Sequence, residues 1–325
     1  MKTKVLITGA TGFIGSHLCE IAIKKGFKVV AFDRYNSNND LGCLKNSKYL
    51  KDMEIILGDI RDYDSVYKSM KNCKIVFHLA ALIGIPYSYF SPLAYVKTNV
   101  EGTYNVLESA KNLNLKNIII TSTSEVYGSA QYLPIDEKHP LNAQSPYAAS
   151  KTAADQLSLS YYKSFNLPVT ILRPFNTYGP RQSERAVIPR IITQCLSKKN
   201  KNLMLGNTKP TRDFNYVSDI CDSYFHILKN KKLIGQVVNV GGKTNISIKD
   251  LANKIIEITN SKKIINQNKK IFRPKSSEVL NLKCDNKKLL KFTSWKPKNN
   301  LIKGLKKTVE WIQVNKSNFF NKYKI

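Results

Sequence analysis

Five side chains of this 325-residue chain stand close enough in sequence to assemble redox and proton-transfer chemistry on a sugar. Thr121-Ser122-Thr123-Ser124-Glu125 brings hydroxyls and a carboxylate, and after a polar loop Tyr147-Ala148-Ala149-Ser150-Lys151 brings a phenol and an ammonium. On a helix, Tyr147 and Lys151 stand on one face, a turn apart. An ammonium at that spacing stabilises a phenolate and draws a phenol pKa of about 10 toward neutrality, which makes the tyrosine a usable general base. An ordinary surface helix can hold the same pair, so its meaning depends on the elements that carry it.

Those elements begin with Lys4 to Thr8, a short apolar strand that runs into Gly9-Ala10-Thr11-Gly12-Phe13-Ile14-Gly15. The helix that follows carries Ile14, Leu18, Ile21 and Ala22 at core spacing. Strand, glycine turn and helix come in the order a pyrophosphate cradle requires, with glycines allowing close backbone approach and the helix N-terminus facing negative charge. A second strand, Lys28 to Phe32, ends in Asp33. A carboxylate there would bond both ribose hydroxyls and repel a 2′-phosphate, so NAD is expected over NADP, although Arg34 next to it argues the other way. Strands Glu54 to Leu57, Lys74 to Leu79, Asn117 to Ser122 and Val169 to Arg173 alternate with helices, among them Leu93 to Ala110 and Pro146 to Phe165. That alternation predicts an α/β fold with a doubly wound parallel sheet covered on both faces. In such a sheet ligands sit at the C-terminal strand ends, where the strand from Asn117 delivers Thr123, Ser124 and Glu125.

Thr8-Gly9-Ala10-Thr11-Gly12-Phe13-Ile14-Gly15, Gly58-Asp59, His78-Leu79-Ala80-Ala81, Thr98-Asn99-Val100 and the Tyr147/Lys151 pair together resemble the extended short-chain dehydrogenase/reductases that modify nucleotide sugars. The resemblance runs in register over nearly the whole chain. It implies a Rossmann domain over 1–175, completed by parts of 211–242, and a smaller α/β substrate domain from 176–210 and 243–315, with a frayed tail over 316–325. It further implies bound NAD, contacted by Gly9, Thr11, Gly12, Phe13, Ile14, Gly15 and Asp33, with Asp59 and Ile60 flanking adenine. Leu79, Ala80, Ala81, Asn99, Thr121 and Pro174 would complete that site. Tyr147 and Lys151 become the catalytic couple, and Thr123 the hydroxyl on the sugar oxygen being oxidised. Asn176, Arg212 and Arg273 would hold a diphosphate, Val187 would border the base, and Tyr87, Arg181 and Arg190 would add substrate contacts. A homodimer through a four-helix bundle, made from Leu93 to Ala110 and Pro146 to Phe165, is implied as well.

The reaction turns on what stands beside the couple. A 4-epimerase needs little beyond Tyr147, Lys151 and Thr123. Glu125 adds a base able to take the C5 proton once C4 is a ketone, and loss of the C6 hydroxyl as water then gives a 4-keto-6-deoxy sugar. Water loss would be assisted by Glu125 itself or by a relay through Ser124. Glucose-linked dehydratases of this family usually carry Asp where this chain has Ser124. Thr123-Ser124-Glu125 instead resembles GDP-mannose dehydratases, UDP-glucuronate decarboxylases and dehydratases of legionaminic-acid-type pathways. The apolar and aromatic run Ala81 to Tyr89 offers no cation for a glucuronate carboxylate, which favours an N-acetylglucosamine linked to UDP or GDP over the decarboxylase substrate. A non-catalytic NAD-binding sensor is the alternative of another class, and the presence of Thr123, Tyr147 and Lys151 speaks against it.

The formal net charge of +29 invites a nucleic-acid reading. The excess is diffuse lysine, densest after Asn200, without the basic stripe and interleaved aromatics of a nucleic-acid surface. Of eight arginines, six (Arg173, Arg181, Arg185, Arg190, Arg212, Arg273) follow residue 170, as expected if several grip phosphate with a planar fork. Six scattered cysteines and four histidines show neither a disulfide framework nor a zinc spacing. No apolar run approaches the length of a membrane span or a signal peptide, so a cytoplasmic enzyme with no membrane partner is expected.

Overall fold

The computed structural model describes residues 2–199 and 201–315; the tail expected from Lys316 lies outside them. Seven strands form one parallel sheet in the order Val237–Val240, Val169–Pro174, Asn117–Thr121, Ile75–His78, Lys4–Thr8, Lys28–Arg34, Met53–Gly58. All six pairings are parallel. Both faces must therefore be covered, and two apolar clusters do so: one includes Leu18, Phe77, Ile220 and Tyr224, the other Val66, Val106, Ile118 and Tyr161. This is the doubly wound α/β fold expected from the alternation.

Element boundaries shift in places that matter. The second strand runs past Phe32 to Arg34, with Asp33 pairing against Leu57, so the carboxylate leaves from within a strand end that its neighbour fixes. The helix expected from Leu93 to Ala110 is a helical run from Pro92 to Asn112 with a π-helical segment at Val96–Glu101. Such a bulge rotates the faces on either side of it and commonly marks a functional site. Helix Pro146–Phe165 has the expected bounds; Ser145 caps it through Ala148 N at 3.1 Å and Pro146 occupies its first turn.

A third cluster gathers Ile188, Ile191, Leu203, Leu205, Leu251, Ile255 and Leu305 from helices Val187–Leu196, Ile248–Ile258 and Leu301–Val314 and from strand Asn202–Leu205. Ser247 caps the second of these helices by accepting from Asp250 N at 3.0 Å, as its capping box predicts. In the last helix Leu305, Val309 and Ile312 are buried, whereas Ile302, three residues before Leu305, is 38% exposed. Gly304 takes the place beside it because a Cβ there would strike the Tyr178 hydroxyl. No helix among the described residues is long and apolar enough to cross a membrane.

Candidate active site

The order of strands reverses between Lys4–Thr8 and Ile75–His78, and a cavity of about 500 Å³ opens at that switch point. Thr8 joins its two lips: its hydroxyl contacts His78 Nδ1 at 2.8 Å and accepts from the amides of Leu79 and Ala80, both at 3.1 Å. Gly9 has φ +70, and a Cβ on it would lie 2.8 Å from Ala80 N. A Cβ on Gly15 would strike the Gly9 carbonyl. The turn is thus packed backbone on backbone, and no side chain caps the helix behind it, so its N-terminus is left for a ligand. Gly9, Thr11, Gly12, Phe13, Ile14 and Gly15 all line the cavity, as do Asp33, Asp59, Ile60, Leu79, Ala80, Ala81, Thr121, Tyr147 and Lys151. These residues fit a dinucleotide: glycine turn at the middle, carboxylate lip at one end, and tyrosine and lysine at the other.

At the lip, Asp33 Oδ2 accepts from Thr11 N at 2.6 Å and Oδ1 from Arg34 N at 2.7 Å, which fixes the carboxylate against the glycine turn. Arg61, which the sequence did not single out, also lines the cavity. It is gripped by Asp59, whose Oδ1 and Oδ2 lie 2.9 and 3.1 Å from Arg61 Nε. That bond holds the Asp59 carboxyl below its usual range and occupies the guanidinium.

At the other end, strand Asn117–Thr121 passes Thr123, which opens a short 3₁₀ turn over Ser124–Tyr127 by accepting from Glu125 N at 3.2 Å. The Tyr147 phenol stands near the Thr123 hydroxyl, and its ring is set edge-on to Tyr95, with ring centroids 6.2 Å apart. Lys151 Nζ donates to the Thr121 carbonyl at 2.7 Å. The expected lowering of the phenol is not found in the chain alone. Burial drives the Tyr147 pKa well up, and the nearby Thr123 hydroxyl offsets only part of it. Burial also lowers Lys151, to about 8. The ammonium is spent on a carbonyl, and desolvation outweighs the spacing effect read from the sequence.

Glu125 and Ser124 are carried to the same end, Ser124 fully buried and Glu125 close enough for its charge to act on the Tyr147 phenol. Glu125 Oε2 lies 3.9 Å from Arg273 Nη1, a buried atom with no hydrogen-bond partner. Arg212 is buried nearby, donates to the Thr211 carbonyl at 2.9 Å and stands 3.8 Å from Glu278. Burial lowers its pKa, and the field of Glu125 opposes that. Asn176 Oδ1 is likewise buried without a partner. Arg273 is close enough for its charge to act on Arg212, and two neighbouring guanidiniums, one with an unpartnered nitrogen, have the chemistry to bind an anion.

Other expected site residues are placed differently. Asn99 is buried and its amide is used up by the protein: Oδ1 accepts from Leu82 N at 2.8 Å, and Nδ2 donates to the Leu82 carbonyl at 3.0 Å and to Ser150 Oγ at 2.9 Å. It fixes the cavity wall and is not part of it. Its neighbour Thr98 lines the cavity, a consequence of the π-helical segment. Pro174 is buried at the end of its strand, paired with Val240, and is not among the lining residues. Arg181 is not directed to a substrate. Its Nη2 meets Glu20 Oε1 at 2.7 Å, an atom that also accepts from Ser47 Oγ at 2.7 Å, while His17 bonds the Pro180 carbonyl at 3.0 Å. These contacts fasten the loop after Tyr178 to the first helix. Arg181→Ala is therefore expected to cost roughly 1–2 kcal/mol of stability and to leave KM unchanged, as thermal melts and steady-state kinetics would show. Arg190 is exposed on helix Val187–Leu196, and Val187 opens that helix partly buried against the third cluster. Tyr87 lines the cavity and is 46% exposed.

Fold and cleft define a nucleotide-binding protein of the doubly wound α/β class whose reactive end couples a buried tyrosine, a hydroxyl and a lysine. Comparison with known proteins narrows that class. A model of the GDP-mannose 4,6-dehydratase family matches residues 6–308. A dTDP-D-glucose 4,6-dehydratase of Dictyostelium discoideum is 40% identical over 272 residues, 79% of this chain; the match spans only 62% of that relative's length. A UDP-N-acetyl-alpha-D-glucosaminuronate decarboxylase of Bacillus cytotoxicus is 34% identical over 327 residues, 96% of this chain and 98% of its own. The crystal structure of UDP-glucuronic acid 4-epimerase from Bacillus cereus, in complex with UDP-glucuronic acid and NAD, has a TM-score of 0.88 at 32% identity and covers 96% of this chain and 100% of that one. The chain belongs to this family of nucleotide-sugar dehydratases and epimerases.

Proposed function

We propose that the chain is an NAD-dependent 4,6-dehydratase that converts UDP- or GDP-linked N-acetylglucosamine to its 4-keto-6-deoxy form. The observation that carries this reading is Glu125. The turn that sets Thr123 against the Tyr147 phenol places a carboxylate at the same end of the cleft. NAD, when bound, supplies the hydride acceptor. Tyr147 takes the C4 hydroxyl proton, Thr123 orients that oxygen, and the positive charge of Lys151 favours the phenolate. Glu125 then removes the C5 proton, acidified by the new ketone, and the C6 hydroxyl leaves as water with help from Glu125 or through Ser124. Hydride delivery to C6 by the cofactor would be completed by a proton at C5, equivalent to the one Tyr147 took from the C4 hydroxyl, so that the net change is the loss of one water. Arg212, Arg273 and Asn176 hold the diphosphate, and Ala81 to Tyr89, Tyr147 to Lys151 and Ser183 to Pro189 resemble dehydratases that act on N-acetylglucosamine in legionaminic-acid-type pathways. Exposed Leu93, Val96 and Phe165, on the two helices expected to form the bundle, support a homodimer; the enzyme is read as cytoplasmic.

Decarboxylation of a nucleotide-linked glucuronate is the second reading. Ala81 to Tyr89 indeed brings no cation, but Arg273, from a distant segment, stands beside Glu125 and offers one to a carboxylate. The Bacillus cytotoxicus relative, matched over nearly its full length, adds weight to it. Incubation with UDP-GlcNAc, GDP-GlcNAc and UDP-glucuronate in turn, followed by mass spectrometry, separates the readings. Loss of water from an N-acetylglucosamine nucleotide supports the dehydratase; loss of carbon dioxide from the glucuronate overturns it. The carboxylate lip also predicts that NAD binds at least about tenfold more tightly than NADP and that Asp33→Asn narrows the difference. Equal affinities in the unaltered protein would refute that assignment.

A further inference from the structure

The helix stripe that carries Tyr147 and Lys151 continues one turn further to Asp155, which is fully buried. Asp155 Oδ2 accepts from Ser122 Oγ at 2.7 Å and from Arg173 Nε at 3.0 Å, with Arg173 Nη2 also at 3.0 Å. Its Oδ1 is buried and has no hydrogen-bond partner. Arg173 Nη1 donates to the Tyr127 hydroxyl at 2.9 Å, and that hydroxyl donates to Asn239 Oδ1 at 2.7 Å. The end of one strand thus holds both groups on the helix, since the Thr121 carbonyl takes Lys151 and the next residue, Ser122, takes Asp155.

Three formal charges are almost wholly buried here, each at most 3% exposed: Lys151, at the cavity wall, and Asp155 and Arg173 behind it. An ammonium in such a place gives up its proton unless an anion compensates. The other titratable groups facing Lys151 do not provide one. Tyr147 is a neutral phenol held up by burial, and His78, lowered to about 3 by burial and by Lys151 itself, is neutral as well. Asp155 is the one charge that opposes the effect of burial on Lys151.

We propose that Asp155 is a positioning residue that keeps Lys151 a cation and, through Ser122, registers it against the strand end where it works. The proposal rests on reading Tyr147 and Lys151 as the couple that faces cofactor and sugar. Arg173 is the counterweight: it keeps Asp155 ionised, and its bond to Tyr127, itself held by Asn239, keeps it off the cavity wall.

The test is the pH dependence of reduction of the bound cofactor on mixing with UDP- or GDP-GlcNAc, together with NADH affinity by fluorescence, from neutral to alkaline pH. The unaltered protein is expected to lose rate as pH rises through about 8, because the lysine is needed in its protonated form. Asp155→Asn should move that loss down by about one pH unit, so that the rate at the alkaline end falls about tenfold while the neutral plateau is reached at lower pH. Asp155→Glu should restore the original profile. Since Asp155→Asn leaves a buried Arg173 uncompensated and so destabilises the fold, the double variant Asp155→Asn/Arg173→Met, which removes one charge of each sign, should fold and show the same displaced limb. A rate lowered by one factor at every pH, with the limb in place, would overturn the proposal and leave Asp155 a packing residue. Unaltered protein that binds no NADH at any pH would overturn the cofactor reading and this proposal with it.

Discussion

Glu125→Gln is expected to stop water loss while leaving C4 oxidation possible. The amide keeps the size of the side chain, and the hydrogen bond from the Glu125 amide to Thr123 Oγ1 is main-chain and survives the change. What is lost is the only group at that position able to accept the C5 proton. Dehydration should fall by about 10²–10⁴, the contribution of a positioned general base. Reduced cofactor should accumulate instead, because the ketone forms and has no way forward. Near-ultraviolet absorbance of the reduced cofactor and product mass, read on the same samples, report the two halves separately. Unchanged dehydration would remove Glu125 from the mechanism and return Ser124 to consideration. Arg273, 3.9 Å from Glu125, is released from its partner by the same substitution, so diphosphate affinity should hold or improve.

Tyr147→Phe has the opposite signature. The ring still fills its place against Tyr95, and Lys151 keeps its bond to the Thr121 carbonyl, so cofactor binding should persist. Only the phenol oxygen and its interaction with the Thr123 hydroxyl are removed. Without a group to take the C4 hydroxyl proton, neither reduced cofactor nor dehydrated product should form, with both rates down by about 10²–10⁴. Normal accumulation of reduced cofactor in this variant would show that another residue, with Thr123 as the nearest candidate, is the base. The two variants together divide the cleft into an oxidation step and an elimination step, whichever nucleotide proves to be the substrate.

The parts of the site that lie in continuous segments were legible before any coordinates. The glycine turn needs three glycines because backbone approaches backbone there, and the contacts of Gly9 and Gly15 show that crowding directly. Asp33 follows from the end of a strand, and the Tyr147/Lys151 face from helical spacing. The surroundings of residues whose partners lie far along the chain are not legible in the same way. Arg181 is expected to add a substrate contact, whereas its partner in the fold, Glu20, stands in the first helix, and no local pattern reports a pairing across that interval. Asn99 falls in a motif that implies cofactor contact, but a π-helical segment turns it toward Leu82 and gives the cavity position to Thr98. Asp155, which the sequence reading did not single out, stands one turn beyond Lys151, and no local pattern reports that Arg173 and Ser122 close around it.

By itself, the sequence determined the order of strands and helices, and therefore a parallel doubly wound sheet with a dinucleotide cradle at its switch point. Periodicity and glycine spacing are local, and the right-handed connection of parallel strands leaves few ways to assemble them. Only the tertiary structure decided the electrostatics of the reactive end. The sequence pattern argued that Lys151 lowers the Tyr147 phenol, whereas the folded chain buries both, raises the phenol, lowers the lysine to about 8 and directs the ammonium to a carbonyl. Desolvation depends on what surrounds a group in three dimensions, and no spacing along a helix contains that information.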